Sequence, residues 1–136
     1  MPLKYNDDQR REYLHLTDRV GQRWLEMFEG DAEMYSAAHW DLLTGLWRAG
    51  GPLRKTGALG LMKGIKSPHT GGKVLEAAIR RGIVVETENP HDARSKLVKL
   101  SPAMAKRLDQ FFDDAVGELR RAGREVEGAG PAPDGD

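Results

Sequence analysis

His69 and Lys73 stand four residues apart, the spacing that puts two side chains on one face of a helix. Thr70 lies beside them, with a hydroxyl for a base or a phosphate and a methyl group for thymine. Lys63 and Lys66 precede them as point charges suited to phosphate oxygens, which fix position without reading sequence. A second basic group follows at His91, Arg94, Lys96 and Lys99. An arginine at the tip of a hairpin can enter a narrow A/T-rich minor groove, where the negative potential is strongest. Asp92, two residues before Arg94, is placed to accept hydrogen bonds within the tip or from a nearby arginine. Taken singly, each lysine also fits a solvated surface charge.

The elements that must position these residues are legible from the flanking pattern. Ser67-Pro68 starts a helix: serine is a preferred N-cap and proline suits the first helical position. Val74, Leu75, Ala78 and Ile79 give that helix an apolar stripe, and Gly82 ends it. The aliphatic runs Ile83-Val84-Val85 and Leu97-Val98 with Leu100 predict two strands, separated by the turn chemistry of Asn89-Pro90-His91-Asp92. Lys55 to Lys63 is the preceding short helix, and Gly64-Ile65-Lys66 is a turn with Ile65 facing the core. A helix-turn-helix followed by a two-stranded hairpin is a winged helix. The first turn of its second helix, with Ser67, His69, Thr70, Gly71, Gly72 and Lys73, is the part that faces base edges in the major groove. Gly71-Gly72 admits two explanations, close backbone approach to another molecule or a frayed first turn without contacts.

Around this segment the pattern predicts further helices. Asp7 to Glu29 carries Tyr13, Leu16, Val20, Trp24, Met27 and Phe28 at helical steps. Glu33 to Arg48 carries Tyr35, Leu42, Leu43, Leu46 and Trp47, with Trp40 and Trp47 expected in the core, and Ala49-Gly50-Gly51-Pro52 breaks it. Pro102 to Ala122 carries Met104, Leu108, Phe111, Ala115, Val116 and Leu119 close to a heptad seam, widened by Phe112. The expected organisation is an N-terminal helix over 1–30, a winged helix-turn-helix over 31–100, a C-terminal helix over 101–123 and a disordered Gly/Pro/acid-rich tail over 124–136. The fold class is mainly α with a small β-hairpin.

Composition narrows the function. The net charge is zero, but residues 51–100 hold 10 Lys/Arg against 4 Asp/Glu, while 1–50 hold 6 against 9 and 101–136 hold 5 against 8. The basic excess coincides with the winged-helix stretch, the electrostatic footprint of a nucleic-acid module. There is no cysteine, which excludes disulfides and thiolate metal sites. No apolar run approaches a membrane span and no secretory signal opens the chain, so a cytoplasmic protein is expected. His15, His39, His69 and His91 show no ligand spacing for a metal. Ser67–Lys73, SPHTGGK, is faintly like a phosphate-binding loop, but it lacks the first glycine, the closing hydroxyl and a preceding strand. Neither catalysis nor a cofactor is expected.

From about Ser36 to Leu119 the chain resembles the MarR-type winged-helix transcriptional regulators. The resemblance rests on RRGIVVE over 80–86, on Asn89-Pro90-His91-Asp92-Ala93-Arg94, which looks like the family's Asp-Pro-x-Asp-x-Arg wing, and on Leu100-Ser101-Pro102 in place of its Leu-Thr-Pro. It implies a homodimer with interlocked terminal helices, and two recognition helices presented to a palindromic operator on double-stranded DNA. It also implies that Arg94 is the minor-groove arginine and Asp92 its supporting acid. Leu16, Val20, Trp24, Leu108, Phe111, Phe112 and Leu119 are the residues assigned to the dimer interface. The family often senses small aromatic effectors, for which Tyr13, His15, Trp24 and Trp40 are candidate linings. The chain departs from the family in showing one C-terminal helix rather than two, and in Gly71-Gly72. A winged helix used for protein–protein contact is the alternative, since the fold alone does not specify DNA.

Overall fold

In the computed structural model, which describes residues 2–131, the elements follow as α1 (Asp7–Met27), α2 (Ala37–Ala49), β1 (Leu53–Arg54), α3 (Lys55–Leu59), α4 (Pro68–Arg80), β2 (Val84–Glu88), β3 (Lys96–Leu100) and α5 (Pro102–Gly128). A 3-10 turn over Ala32–Met34 precedes α2. The described residues fall into two compact units, one of residues 2–30 and 110–131, the other Asp31–Asp109.

The Asp31–Asp109 unit is the winged helix. The sheet has the order β1-β3-β2 and is antiparallel throughout, with Val84 opposite Leu100, Glu88 opposite Lys96, and Leu53 opposite Val98. The third strand, β1, was not expected. Two residues after Gly-Gly-Pro carry no periodicity, and only pairing with β3 makes them a strand. Leu42, Leu43 and Leu46 of α2, Ala58 and Met62 beside α3, Leu75 and Ala78 of α4, and Val84 and Val98 of the sheet are all buried. The helix expected over Glu33 to Arg48 is interrupted at Tyr35 and Ser36. Asp31 caps the 3-10 turn through Glu33 N at 3.1 Å, and Ser36 Oγ then accepts from His39 N at 3.1 Å to begin α2 afresh. Trp40 and Trp47 are each 41% exposed and Tyr35 is exposed too, because the leucines already fill the inward face of α2. The Trp47 indole N–H instead donates to Asp109 Oδ1 at 2.7 Å.

Helix α3 is shorter than the expected Lys55 to Lys63. After Leu59 the chain runs through three-residue turns, Leu61 N to Ala58 O, Met62 N to Leu59 O and Ile65 N to Met62 O, which bury Met62 and half-bury Ile65. Three glycines in the stretch lower its helical propensity, so packing decides its path. Gly71 is buried at the α3–α4 contact. A Cβ there would lie 3.2 Å from Leu59 Cδ2 and 3.5 Å from Met62 Cε. Gly72 has no atom within 4 Å of the corresponding position. Neither of the two explanations for this pair covers Gly71, whose missing side chain makes room for Leu59 and Met62 of the same chain. Gly82 ends the helix as expected, in the left-handed region at φ +71°, with Ile83 N closing onto Ala78 O.

In the other unit α1 and the later part of α5 run antiparallel. Trp24 packs edge-on against Phe28 and Phe111, with ring centroids 5.1 and 5.4 Å away, and Arg19 Nε reaches Glu118 Oε2 at 2.8 Å. Asn6 and Gln9 form a capping box at the start of α1. The same two side chains donate to the last carbonyls of α5 and its exit, Gln9 Nε2 to Val126 O and Asn6 Nδ2 to Ala129 O. These bonds explain why α5 continues to Gly128 rather than stopping at Ala122 as expected: carbonyls that a helix end leaves unpaired find donors here. Residues 124–128 of the expected tail are thus helical, and residues 132–136 lie outside the described residues. Of the apolar residues assigned to a dimer contact, Trp24, Leu108 and Phe111 are covered within the chain itself. Leu16, Val20 and Phe112 are half-buried and Leu119 is exposed. Apolar periodicity marks a face that needs covering but not which helix covers it.

Two expectations follow. His39 is buried, with Nδ1 3.0 Å from Ser36 Oγ and Nε2 without a hydrogen-bond partner among the described residues. Burial, aided by the Arg81 charge and opposed by Glu33 and Asp31, holds its pKa below the ordinary 6.5. The neutral ring is then the folded form, so this contribution is whole above pH 6.5 and is lost as pH falls through the lower folded value. Thermal melts should show stability dropping on mild acidification, and His39→Gln should flatten that drop. Gly72→Ala, in open space on a helix, should stabilise the chain by about 0.5–1 kcal/mol in urea denaturation.

Candidate nucleic-acid interface

Ser67 caps α4 with Oγ accepting from Thr70 N at 3.4 Å, so its hydroxyl is already engaged in starting the helix. Lys66, Ser67, His69, Thr70 and Lys73 are all exposed, while Leu75, Ala77 and Ala78 turn inward. The one helix thus presents a polar, basic N-terminal face and a buried apolar one. A groove of about 700 Å³ lies between α4 and α3, lined by Pro68, His69, Gly72, Lys73, Leu75 and Glu76 of α4 and by Lys55 and Leu59 of α3. The SPHTGGK segment forms the cap and first turns of this helix, not a phosphate-cradling loop after a strand.

The wing between β2 and β3 is closed by two side-chain turns. Asn89, buried, accepts from His91 N through Oδ1 at 2.9 Å and donates from Nδ2 to Ser95 Oγ at 3.1 Å. The amide supplies a donor that an ionised aspartate would lack. Asp92 Oδ1 accepts from the backbone N–H of Arg94 at 3.0 Å. Asp92 therefore orders the backbone under Arg94. The His91 and Arg94 side chains are exposed at the tip, and Lys96 Nζ lies 3.7 Å from Glu88 across the two strands.

Ion pairing divides the cations of this unit. Arg81, at the C-terminal end of α4, binds Asp31 at 2.9 Å and Glu33 at 2.8 Å, which raises its own pKa and lowers that of Asp31. Lys55 Nζ sits 2.8 Å from Glu86 of β2 and 3.8 Å from Glu76 of α4. The hydrogen bond to Glu86 raises the Lys55 pKa and lowers the glutamate's. Lys66, Lys73 and Arg94 have no ion-pair partner among the described residues. Unpaired cations thus stand on the N-terminal face of α4 and at the wing tip, and others, Arg48, Arg54, Lys63 and Arg80 among them, stand elsewhere on the unit. Lys55, which ties α3, α4 and β2 together, was not singled out from the sequence. Its partners are remote along the chain, and no spacing rule connects them.

Among the described residues no cluster of three or more His, Asp or Glu side chains could hold a metal ion, and no helix is long and apolar enough to cross a membrane. No protein-family model matches the chain, and no curated protein sequence does. Solved structures do match. A mutant MarR from E. coli, complexed with operator DNA, is 20% identical, with a TM-score of 0.54 over 90% of this chain and 81% of that one. A transcriptional regulator from Thermotoga maritima is 14% identical, with a TM-score of 0.60 over 86% of this chain and 79% of that one. A mutant MepR from S. aureus, bound to an oligodeoxyribonucleotide, is 16% identical, with a TM-score of 0.59 over 82% of this chain and 78% of that one. Such likeness carries the architecture: the chain has the winged helix-turn-helix fold of the MarR-type transcriptional regulators.

Proposed function

We propose that the protein is a cytoplasmic, homodimeric, sequence-specific DNA-binding regulator of transcription, without catalytic activity. Helix α4 enters the major groove, where His69, Thr70 and Lys73 meet base edges, and the wing sends Arg94 into the minor groove. Lys66, Lys96 and His91 contact the backbone. The observation that carries this reading is the pattern of charge compensation. Within the winged helix Lys55, Arg81 and Lys96 lie against carboxylates, while Lys66 and Lys73 on α4 and Arg94 on the wing are exposed and have no ion-pair partner among the described residues, as is also true of Arg48, Arg54, Lys63 and Arg80. The solved structures of the same fold that hold DNA support it.

Dimer formation is supported by what α1 and α5 leave uncovered. Leu14, Val116 and Leu119 are more than half exposed, and Leu16, Val20 and Phe112 are half-buried beside them in sequence. A second copy would cover this apolar surface. The palindromic reading requires the two recognition helices of that dimer to lie about 34 Å apart, one helical turn of DNA.

Sequence selection from a random duplex pool should return a palindromic consensus. Lys73→Ala and Arg94→Ala should each weaken binding by about 1–3 kcal/mol in gel shift while the circular-dichroism melt stays in place. Full affinity in both variants would remove α4 and the wing from the interface. Sedimentation should give a dimer at micromolar concentration, and Leu119→Glu should shift it toward monomer.

A further inference from the structure

We propose that the cleft between β1 and the wing seats one phosphate of the duplex backbone, with Arg54 as its principal ligand. The inference rests on the DNA-binding proposal and gives a role to Arg54, which that proposal leaves without one. The cleft has a volume of about 540 Å³ and is lined by Arg54, Lys55, Thr56, Glu86, Arg94, Ser95 and Lys96. Four cations and two hydroxyls thus face a single carboxylate. The groove along α4 is far closer to neutral, with Lys55, Lys73 and Arg80 against Glu33 and Glu76.

Arg54 has the attributes of a ligand waiting for an anion. Its backbone is fixed in the sheet opposite Leu97. Its side chain is exposed and has no hydrogen-bond or ion-pair partner among the described residues. A guanidinium presents a fork of donors that matches two phosphate oxygens. Lys55, next in sequence, is held by Glu86 at 2.8 Å. Glu86 occupies the place that a phosphate oxygen would otherwise take at that ammonium group, so it tempers the affinity of the seat. Arg94 lines the same cleft from the wing side. A strand of DNA whose groove receives Arg94 therefore brings its own backbone over Arg54.

The chemistry favours a phosphate carried by a duplex over a free one. The cleft is open to solvent, and exposed charge pairs contribute little singly. A phosphate already delivered by contacts at α4 and the wing tip binds at high effective concentration. Such a contact fixes register without reading sequence.

The test is fluorescence anisotropy of the full chain with a random-sequence duplex and with the selected operator, over roughly 50 to 200 mM salt. Arg54→Ala should weaken both complexes alike, by about fivefold per bound copy near physiological salt, and flatten the log–log salt slope by about 0.9 per copy. Arg54→Lys should keep the slope. Glu86→Gln, which frees Lys55, should steepen it and raise affinity. Because Arg54 has no side-chain partner among the described residues, the thermal melt of Arg54→Ala should match the parent. A parental slope in Arg54→Ala, with a flattened one in Arg94→Ala, would abolish the seat and leave DNA binding standing. Saturable binding of inorganic phosphate at micromolar concentration, lost in Arg54→Ala, would overturn the duplex assignment in favour of a free anion. A parent chain that binds no duplex at the lowest salt would remove both proposals.

Discussion

The close approach of α3 to α4 at Gly71 governs what the winged helix can present. With no side chain at that position, Leu59 and Met62 come within van der Waals reach of the α4 backbone, and Ile65 closes the turn beside them. One side of α4 is thereby committed to the interior, where Leu75 and Ala78 continue the contact. Its opposite side, with His69, Thr70 and Lys73, is left to solvent. Burial of a few apolar side chains, each contributing about 1.5–3 kcal/mol, thus sets the orientation of every polar group on the helix. The sheet rests on the other end of the same helix, through the closure of Ile83 N onto Ala78 O, so the wing is referenced to α4 as well.

Charge is arranged on the same frame. The chain has no net charge, and at physiological ionic strength dissolved salt screens the fields of its acidic and basic parts beyond about 8 Å. What a partner meets is local. Arg81 is absorbed by Asp31 and Glu33, and Lys55 by Glu86 and Glu76, so these cations stitch elements together. Exposed pairs of this kind contribute little to stability singly, and their greater effect is on geometry. Segment sums of charge show that the middle of the chain is basic; only the fold shows which of those charges are already spent.

Much of the architecture was legible in the residues. Ser67-Pro68, Gly82 and the paired aliphatic runs located α4 and the hairpin because capping, φ freedom and alternation are local properties. The Ser101-Pro102 start of α5 was legible for the same reason. What escaped was non-local. Strand β1 exists only through its pairing with β3, and α5 runs on to Gly128 where Asn6 and Gln9 receive its carbonyls. The break before α2 comes from Asp31 and Ser36 competing for backbone N–H groups. Trp24 and Phe111 form a pair inside the chain, where periodicity alone allowed a second subunit. For the candidate interface, the exposed residues of α4 and the wing tip were identified by type and spacing. Arg54 and Lys55 were not, because the strand pairing and the remote glutamates that give them meaning lie far off in sequence.

The wing tip carries a consequence of its own. Asn89 and Asp92 each tie a side-chain oxygen to a backbone N–H two residues on, and the Asn89 amide reaches Ser95 across the loop. A loop so braced has already surrendered most of its conformational entropy during folding. In the docking proposed for it, little disorder is left to lose, and more of the contact energy survives as affinity. Rigidity acquired from three short polar side chains thus makes the hairpin a finger rather than a tether.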